Sequence, residues 1–144
     1  MKISILLPYK ENFSPTYAGA VSLFVKDTTQ ISKFKKYITV FGNTDLKNIY
    51  KLKYKNIFLK KNLVQSGSAV YVNEFLKHEI ESPSNIIEIH NRPNYFHLIN
   101  EKKINQKLVL YFHNDPLTMT GSRSIQERKK LLSNATKIIF NTHW

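Results

Sequence analysis

Short apolar runs alternate with amphipathic ones along the chain. "KISILLP" (2–8) is an apolar run closed by Pro8, which predicts a buried first strand leading into a loop at "YKENFSPT". "TYAGAVSLFVKDTTQISKF" (16–34) spaces Val21, Phe24, Val25 and Ile31 near the helical period, behind the small residues Ala18, Gly19 and Ala20. "KYITVFGN" (36–43) is β-branched and aromatic and stops at a Gly-Asn turn, and "KNIFLKK" (55–61) reads as a shorter strand. "SAVYVNEFLKHEI" (68–80) predicts a helix capped by Ser66 or Ser68, although Val70, Tyr71 and Val72 also suit a strand.

The second half repeats the alternation. "NIIEIHN" (85–91) is a strand, "PNYFHLINEKK" (93–103) a helix with Pro93 in its first turn, and "KLVLYFHN" (107–114) another strand. "SIQERKKLLSNA" (124–135) follows as a helix and "TKIIFNTHW" (136–144) as a last strand. Strands alternating with helices require βαβ units, so the expected class is α/β, a Rossmann-like and mostly parallel sheet flanked by helices. No repeat, low-complexity tract or Pro/Gly/Ser linker divides residues 1–144, so one domain is expected.

Composition bounds this picture. A chain of 144 residues buries roughly two-thirds of its unfolded surface, enough for one core. No run reaches the ~18 apolar residues of a membrane-spanning helix. The N-terminal run ends in Pro8 without a small-residue cleavage site, so a cytoplasmic chain beginning directly with its first strand is expected. Without cysteine there are no disulfides and no thiolate metal sites.

The formal charge is +12, and the basic residues are 19 Lys but only three Arg: Arg92, Arg123 and Arg128. Such a bias, with abundant Ile and Asn, has a bland source in an AT-rich genome. Against that stands clustering, for ten Lys fall between Lys26 and Lys61, where only Asp27 and Asp45 are acidic. No nucleic-acid module signature accompanies the charge, so nucleic acid is not expected as a partner. An anionic membrane surface or an anionic substrate is preferred.

In sheets of this class ligands sit beyond the carboxyl ends of the strands. That selects "PYKENFSPTYAGA", "HNRP" and "HNDPLTMTGSR". The last two share an apolar strand followed by His-Asn-x-Pro, as His90-Asn91-Arg92-Pro93 and His113-Asn114-Asp115-Pro116. Either His alone reads as a local hydrogen-bonding cap; two in matching positions can meet around one small polar ligand. His90, His113 and Asp115 match no metal-ligand spacing, and no metal is expected. Gly67-Ser68-Ala69 is only a fragment of a nucleophile elbow. "AGA" at 18–20 lacks the full dinucleotide fingerprint, and Gly19 suits helix-on-sheet packing as well as approach to a phosphate. Arg92 and Arg123 stand out where Lys is the default cation: a planar fork for phosphate or carboxylate is one reading, a surface salt bridge the other.

At these loops the sequence resembles a known family. "YAGAV", "IIEIHNRP", "LVLYFHNDPLTMTGSRS" with "ERKKLL", and "ATKIIFNTHW" are similar to the N-terminal domain of family 4 glycosyltransferases of GT-B fold, close to those assembling lipopolysaccharide and other surface polysaccharides. The resemblance spans essentially the whole chain. It implies one half of a GT-B architecture, in which this domain mainly binds the acceptor and an absent C-terminal domain binds the donor. By position, His113 matches a histidine that contacts the donor sugar and stabilises charge at its anomeric carbon, making it the candidate catalytic residue. Gly19, His113 and Asn114 match the donor side; Ala18 stands where members usually carry a second glycine. Tyr17, His90, Asn91 and Arg92 match the acceptor side, and Asp115, Met119, Ser122 and Arg123 the segment shaping the cleft floor, also on the acceptor side.

The activity so implied is retaining transfer of a sugar from a nucleotide-sugar donor to a saccharide or lipid-linked acceptor, with no metal or other cofactor. An oxocarbenium-like sugar leaving an anionic diphosphate is stabilised by positioned dipoles and cations. In this family the basic residues holding that diphosphate, and a pair of glutamates, lie in the donor domain. The chain is therefore expected to need a separate donor domain or a second copy of itself. Two other readings stay open: a sugar- or nucleotide-sugar-binding module without turnover, and a basic structural protein peripheral to the inner membrane face.

Overall fold

The computed structural model describes residues 1–59 and 66–141. Six strands form one sheet: β1 (Ile3–Leu6), β2 (Ile38–Gly42), β3 (Tyr54–Asn56), β4 (Ile86–His90), β5 (Lys107–Phe112) and β6 (Lys137–Phe140). Four helices accompany them: α1 (Ala20–Ile31), α2 (Gly67–Glu81), α3 (Pro93–Asn100) and α4 (Ile125–Asn134).

The strand order is β3-β2-β1-β4-β5-β6, and every pairing is parallel. From β1 the chain moves outward to β2 and β3, then returns to β4 on the other side of β1 and moves outward the opposite way. Right-handed crossovers then put helices on opposite faces for the two directions. The core divides accordingly. On one face Leu6, Phe41, Ile87, Ile89, Leu110 and Phe112 of the sheet meet Tyr71, Phe75, Phe96, Ile99 and Leu131 of α2, α3 and α4. On the other, Ile5, Leu7, Ile38 and Val40 meet Val21 and Val25 of α1, with Phe13 from the loop after β1. This is the doubly wound, Rossmann-like arrangement, and its order reverses between β1 and β4.

The alternation predicts each element, with shifts at the ends. Val70, Tyr71 and Val72 are helical: Ser66 caps α2 by accepting from the Ala69 N–H at 3.3 Å, and Tyr71, Val72, Phe75 and Leu76 form one buried face. Lys35–Tyr37 make a 3₁₀ turn rather than the start of β2, and β3 is only three residues long. The expected ends of the third and last strands, 60–61 and 142–144, lie outside the described residues.

Candidate functional site at the carboxyl edge

In β4 the side chains alternate, so Ile87 and Ile89 enter the larger core while Glu88 and His90 share the other face. Register brings Tyr111 of β5 beside His90, and their rings stack at 4.9 Å. His113 follows two residues after Tyr111, so it projects from the same face. Phe24 of α1 closes the group, its ring edge-on to His113 at 4.9 Å.

A chain of hydrogen bonds runs through these side chains. Glu88 Oε1 lies 2.6 Å from His90 Nε2, His90 Nδ1 lies 2.9 Å from His113 Nε2, and His113 Nδ1 lies 2.7 Å from Asn141 Nδ2 at the end of β6. Burial, and then the neighbouring His90 ring, hold His113 well below the usual imidazole range, at about 4, against a smaller opposing pull from Glu88. His113 is thus neutral near pH 7, and taking Asn141 Nδ2 as the donor at its Nδ1 gives one arrangement of protons that satisfies every link. The Asn141 amide donates to Nδ1 of His113, His113 Nε2–H donates to His90 Nδ1, and His90 Nε2–H donates to the Glu88 carboxylate. In this arrangement each link has one donor and one acceptor. His90 is fully buried, whereas the Glu88 side chain is 24% exposed.

The expectation that the two imidazoles meet around a small ligand therefore needs refining. They are bonded directly to each other, and Nε2 of His113 points inward. Its Nδ1 faces Asn141, an exposed residue whose amide a ligand hydroxyl can replace. Asn91 fixes the frame: buried and at φ +55°, it accepts from the His113 N–H at 3.2 Å and donates its own N–H to Tyr111 at 2.7 Å. Asparagine tolerates that left-handed backbone better than most residues.

Other candidates are engaged differently. Asp115 accepts from the Leu117 N–H at 2.8 Å and so caps a 3₁₀ turn over Pro116–Thr118. The buried Ser122 hydroxyl donates to the Pro116 carbonyl, and Arg123 donates to Thr118 at 3.0 Å. Met119 packs on the larger core. These four shape their own loop. Arg92 donates to the Asn91 carbonyl at 2.8 Å; among the described residues neither it nor Arg123 forms a salt bridge. Asn114 is exposed, as is Tyr17 at 83%.

Gly19 is the N-cap of α1, and the carboxylate of Glu11 lies against it. Glu11 Oε1 accepts from the Ser22 N–H at 3.1 Å, so the helix end already holds a negative group of the chain's own. A concavity of about 440 Å³ opens nearby among Tyr9, Lys10, Asn12, Asn43, Thr44 and Asp45, beyond the carboxyl ends of β1 and β2. A larger one, about 1310 Å³, lies at the opposite edge, away from the histidines.

Glu88, Asn141 and Glu11 join the site without standing among the residues expected from the sequence. Alternation in "IIEIH" places Glu88 on the face of His90, and "IIFN" ends β6 at the same edge as His113; both signals were legible. Glu11 was not, because its contact depends on how the loop after β1 folds back. Among the described residues no cluster of three His, Asp or Glu is arranged to hold a metal. No family model matches the chain, and no curated protein matches it either.

Proposed function

We propose that this chain is the acceptor-side half of a glycosyltransferase resembling family 4, performing retaining sugar transfer from a nucleotide-sugar donor together with a donor-binding domain. The observation that carries the reading is His113, neutral and pinned by the Glu88–His90 chain, at the carboxyl edge of the sheet, one strand beyond β4, where the order reverses. In this reading the bond from the anomeric carbon to the diphosphate breaks and one to the acceptor oxygen forms, the acceptor's proton passing to the leaving phosphate. A neutral imidazole does not repel the positive charge developing on the sugar, and the Glu88 carboxylate behind it favours that charge. Nδ1 of His113 accepts from a sugar hydroxyl once Asn141 swings away. The concavity beside Tyr9 and Asn43 has room for a saccharide unit.

Titration calorimetry against a panel of nucleotide sugars and simple saccharides tests the site. Binding by the wild type, weakened at least tenfold in His113→Ala, is the expected result; no binding to any member sinks the reading. Mixing the chain with a family donor domain and acceptor extract then tests transfer. A second reading is favoured by the complete internal pairing of both His113 nitrogens, which leaves no free base: a binding module without turnover. Ligand binding with no transfer in the mixed assay would select it.

A further inference from the structure

We propose that the amino edge of the sheet, opposite the histidines, is a docking surface for a bilayer rich in anionic lipid. Because all strands are parallel, the segments that enter them gather along one edge. Before β2 come Lys33, Lys35 and Lys36, and before β3 come Lys51 and Lys53; these five lysines and Leu52 line one shallow concavity with no carboxylate among them. Among the described residues none of the five forms a salt bridge, and the nearby Asp27 is held by Lys26 at 2.6 Å.

Apolar side chains stand out of the same surface. Ile31, which ends α1, is 86% exposed, and Phe34 and Tyr37 in the following turn are 39% and 37% exposed. Lys33 lies 5.2 Å from the Phe34 ring and Lys36 4.9 Å from that of Tyr37, so each aromatic carries a cation beside it. Ammonium groups around protruding apolar side chains fit a surface with negative headgroups over hydrocarbon. Nucleic acid fits less well: Ile31 offers it nothing, and this patch contains no arginine fork for phosphate. At ~3.3 Å per residue, the five residues of β2 separate the two edges by roughly 17 Å. With strands upright on the bilayer, the histidine edge faces away from it, within reach of a long saccharide rather than a lipid headgroup.

Flotation of the full chain with phosphatidylcholine vesicles, with and without phosphatidylglycerol, tests this without reference to sugar binding. Binding is expected only with phosphatidylglycerol, falling at least tenfold when salt rises from ~0.05 to ~0.5 M as screening shortens. The variant Lys35→Gln, Lys36→Gln, Lys53→Gln is expected to lose at least tenfold in affinity, and Ile31→Ser several-fold. A control in the middle of α4, Lys129→Gln with Lys130→Gln, is expected to bind nearly as wild type; circular dichroism checks that each variant is folded. Equal loss in the control, binding indifferent to phosphatidylglycerol, or association with single-stranded DNA but not with vesicles would each overturn the proposal.

Discussion

At the carboxyl edge of the sheet, polar side chains bind one another; at the amino edge, lysines face water. Glu88, His90, His113 and Asn141 form one hydrogen-bonded chain, and Asp115, Ser122 and Arg123 tie down their loop. Across the sheet, Lys33, Lys35, Lys36, Lys51 and Lys53 have no acidic partners among the described residues. Paired, buried polar groups fix geometry and are costly to remove; solvated charges set long-range fields and can be exchanged with little effect on the fold. The difference predicts how each edge answers substitution.

The largest effect is expected at Gly121. Its φ of +95° disfavours any side chain, and an added Cβ would run into the backbone of Asn94, which cannot swing aside. Gly121→Ala is expected to lose roughly 3 kcal/mol in a urea titration. An unchanged midpoint would show that the loop after β5 is not anchored on α3. Next comes His90, fully buried between two partners. His90→Ala is expected to cost about 2 kcal/mol, since it opens a cavity and leaves Glu88 without its donor. If His90→Ala and an exposed lysine variant lose equal stability, the contrast between the edges fails.

Much of this division is legible in the sequence, but not evenly. Alternation predicts the parallel sheet because βαβ units leave few other topologies, and matched His-Asn-x-Pro loops predict that His90 and His113 share an edge. Alternation cannot supply strand order, and without it the adjacency of β4 and β5 that brings His90 Nδ1 within 2.9 Å of His113 Nε2 stays hidden. Arg123 and Ser122 look like ligand groups in a one-dimensional string because their backbone partners come from the turn they themselves stabilise. Lys51 and Lys53 lie far in sequence from Lys33, and only the parallel pairing of β2 with β3 brings them to one patch.

The buried chain also gives the carboxyl edge a pH response. His113 titrates at about 4 in the fold against 6.5 in the unfolded chain, because burial and the His90 ring disfavour its charged form. Above pH 6.5 both states are neutral there and the group contributes no slope. As pH falls below 6.5 the unfolded state takes up the proton first, so stability drops until the folded ring also protonates near 4. The slope contributed is at most about 1.4 kcal/mol per pH unit, reduced by the partial exposure of the ring. Melting curves of wild type and His113→Asn across this window should diverge at pH 7 and converge toward pH 4. Parallel curves would mean that His113 is not desolvated.

A smaller effect is expected at α1. Glu11 takes the place of a capping side chain, because Gly19 has none to offer. Glu11→Ala is expected to cost about 1 kcal/mol by thermal melting, and Glu11→Gln, which keeps an acceptor but not the charge, about half that. Equal losses in the two variants would assign the contact to charge alone.

The smallest effect on stability, with the opposite sign, is expected at the amino edge. In a chain of net charge +12 each lysine of the patch repels its neighbours, and none is offset by a carboxylate in the same concavity. Removing charge there relieves repulsion without breaking a bond, so Lys35→Gln or Lys53→Gln should raise stability by up to about 0.5 kcal/mol at low salt. The gain should vanish in ~0.5 M salt, where the screening length falls to about 4 Å, shorter than typical spacings between surface charges. A loss of stability on removing these charges, at any salt, would show that the lysines hold the fold and would end the contrast between the two edges. A gain that persists in high salt would point to side-chain entropy rather than the field. Only the salt-sensitive gain fits an edge that keeps its positive charge at a cost to its own stability, the behaviour expected of the proposed docking surface.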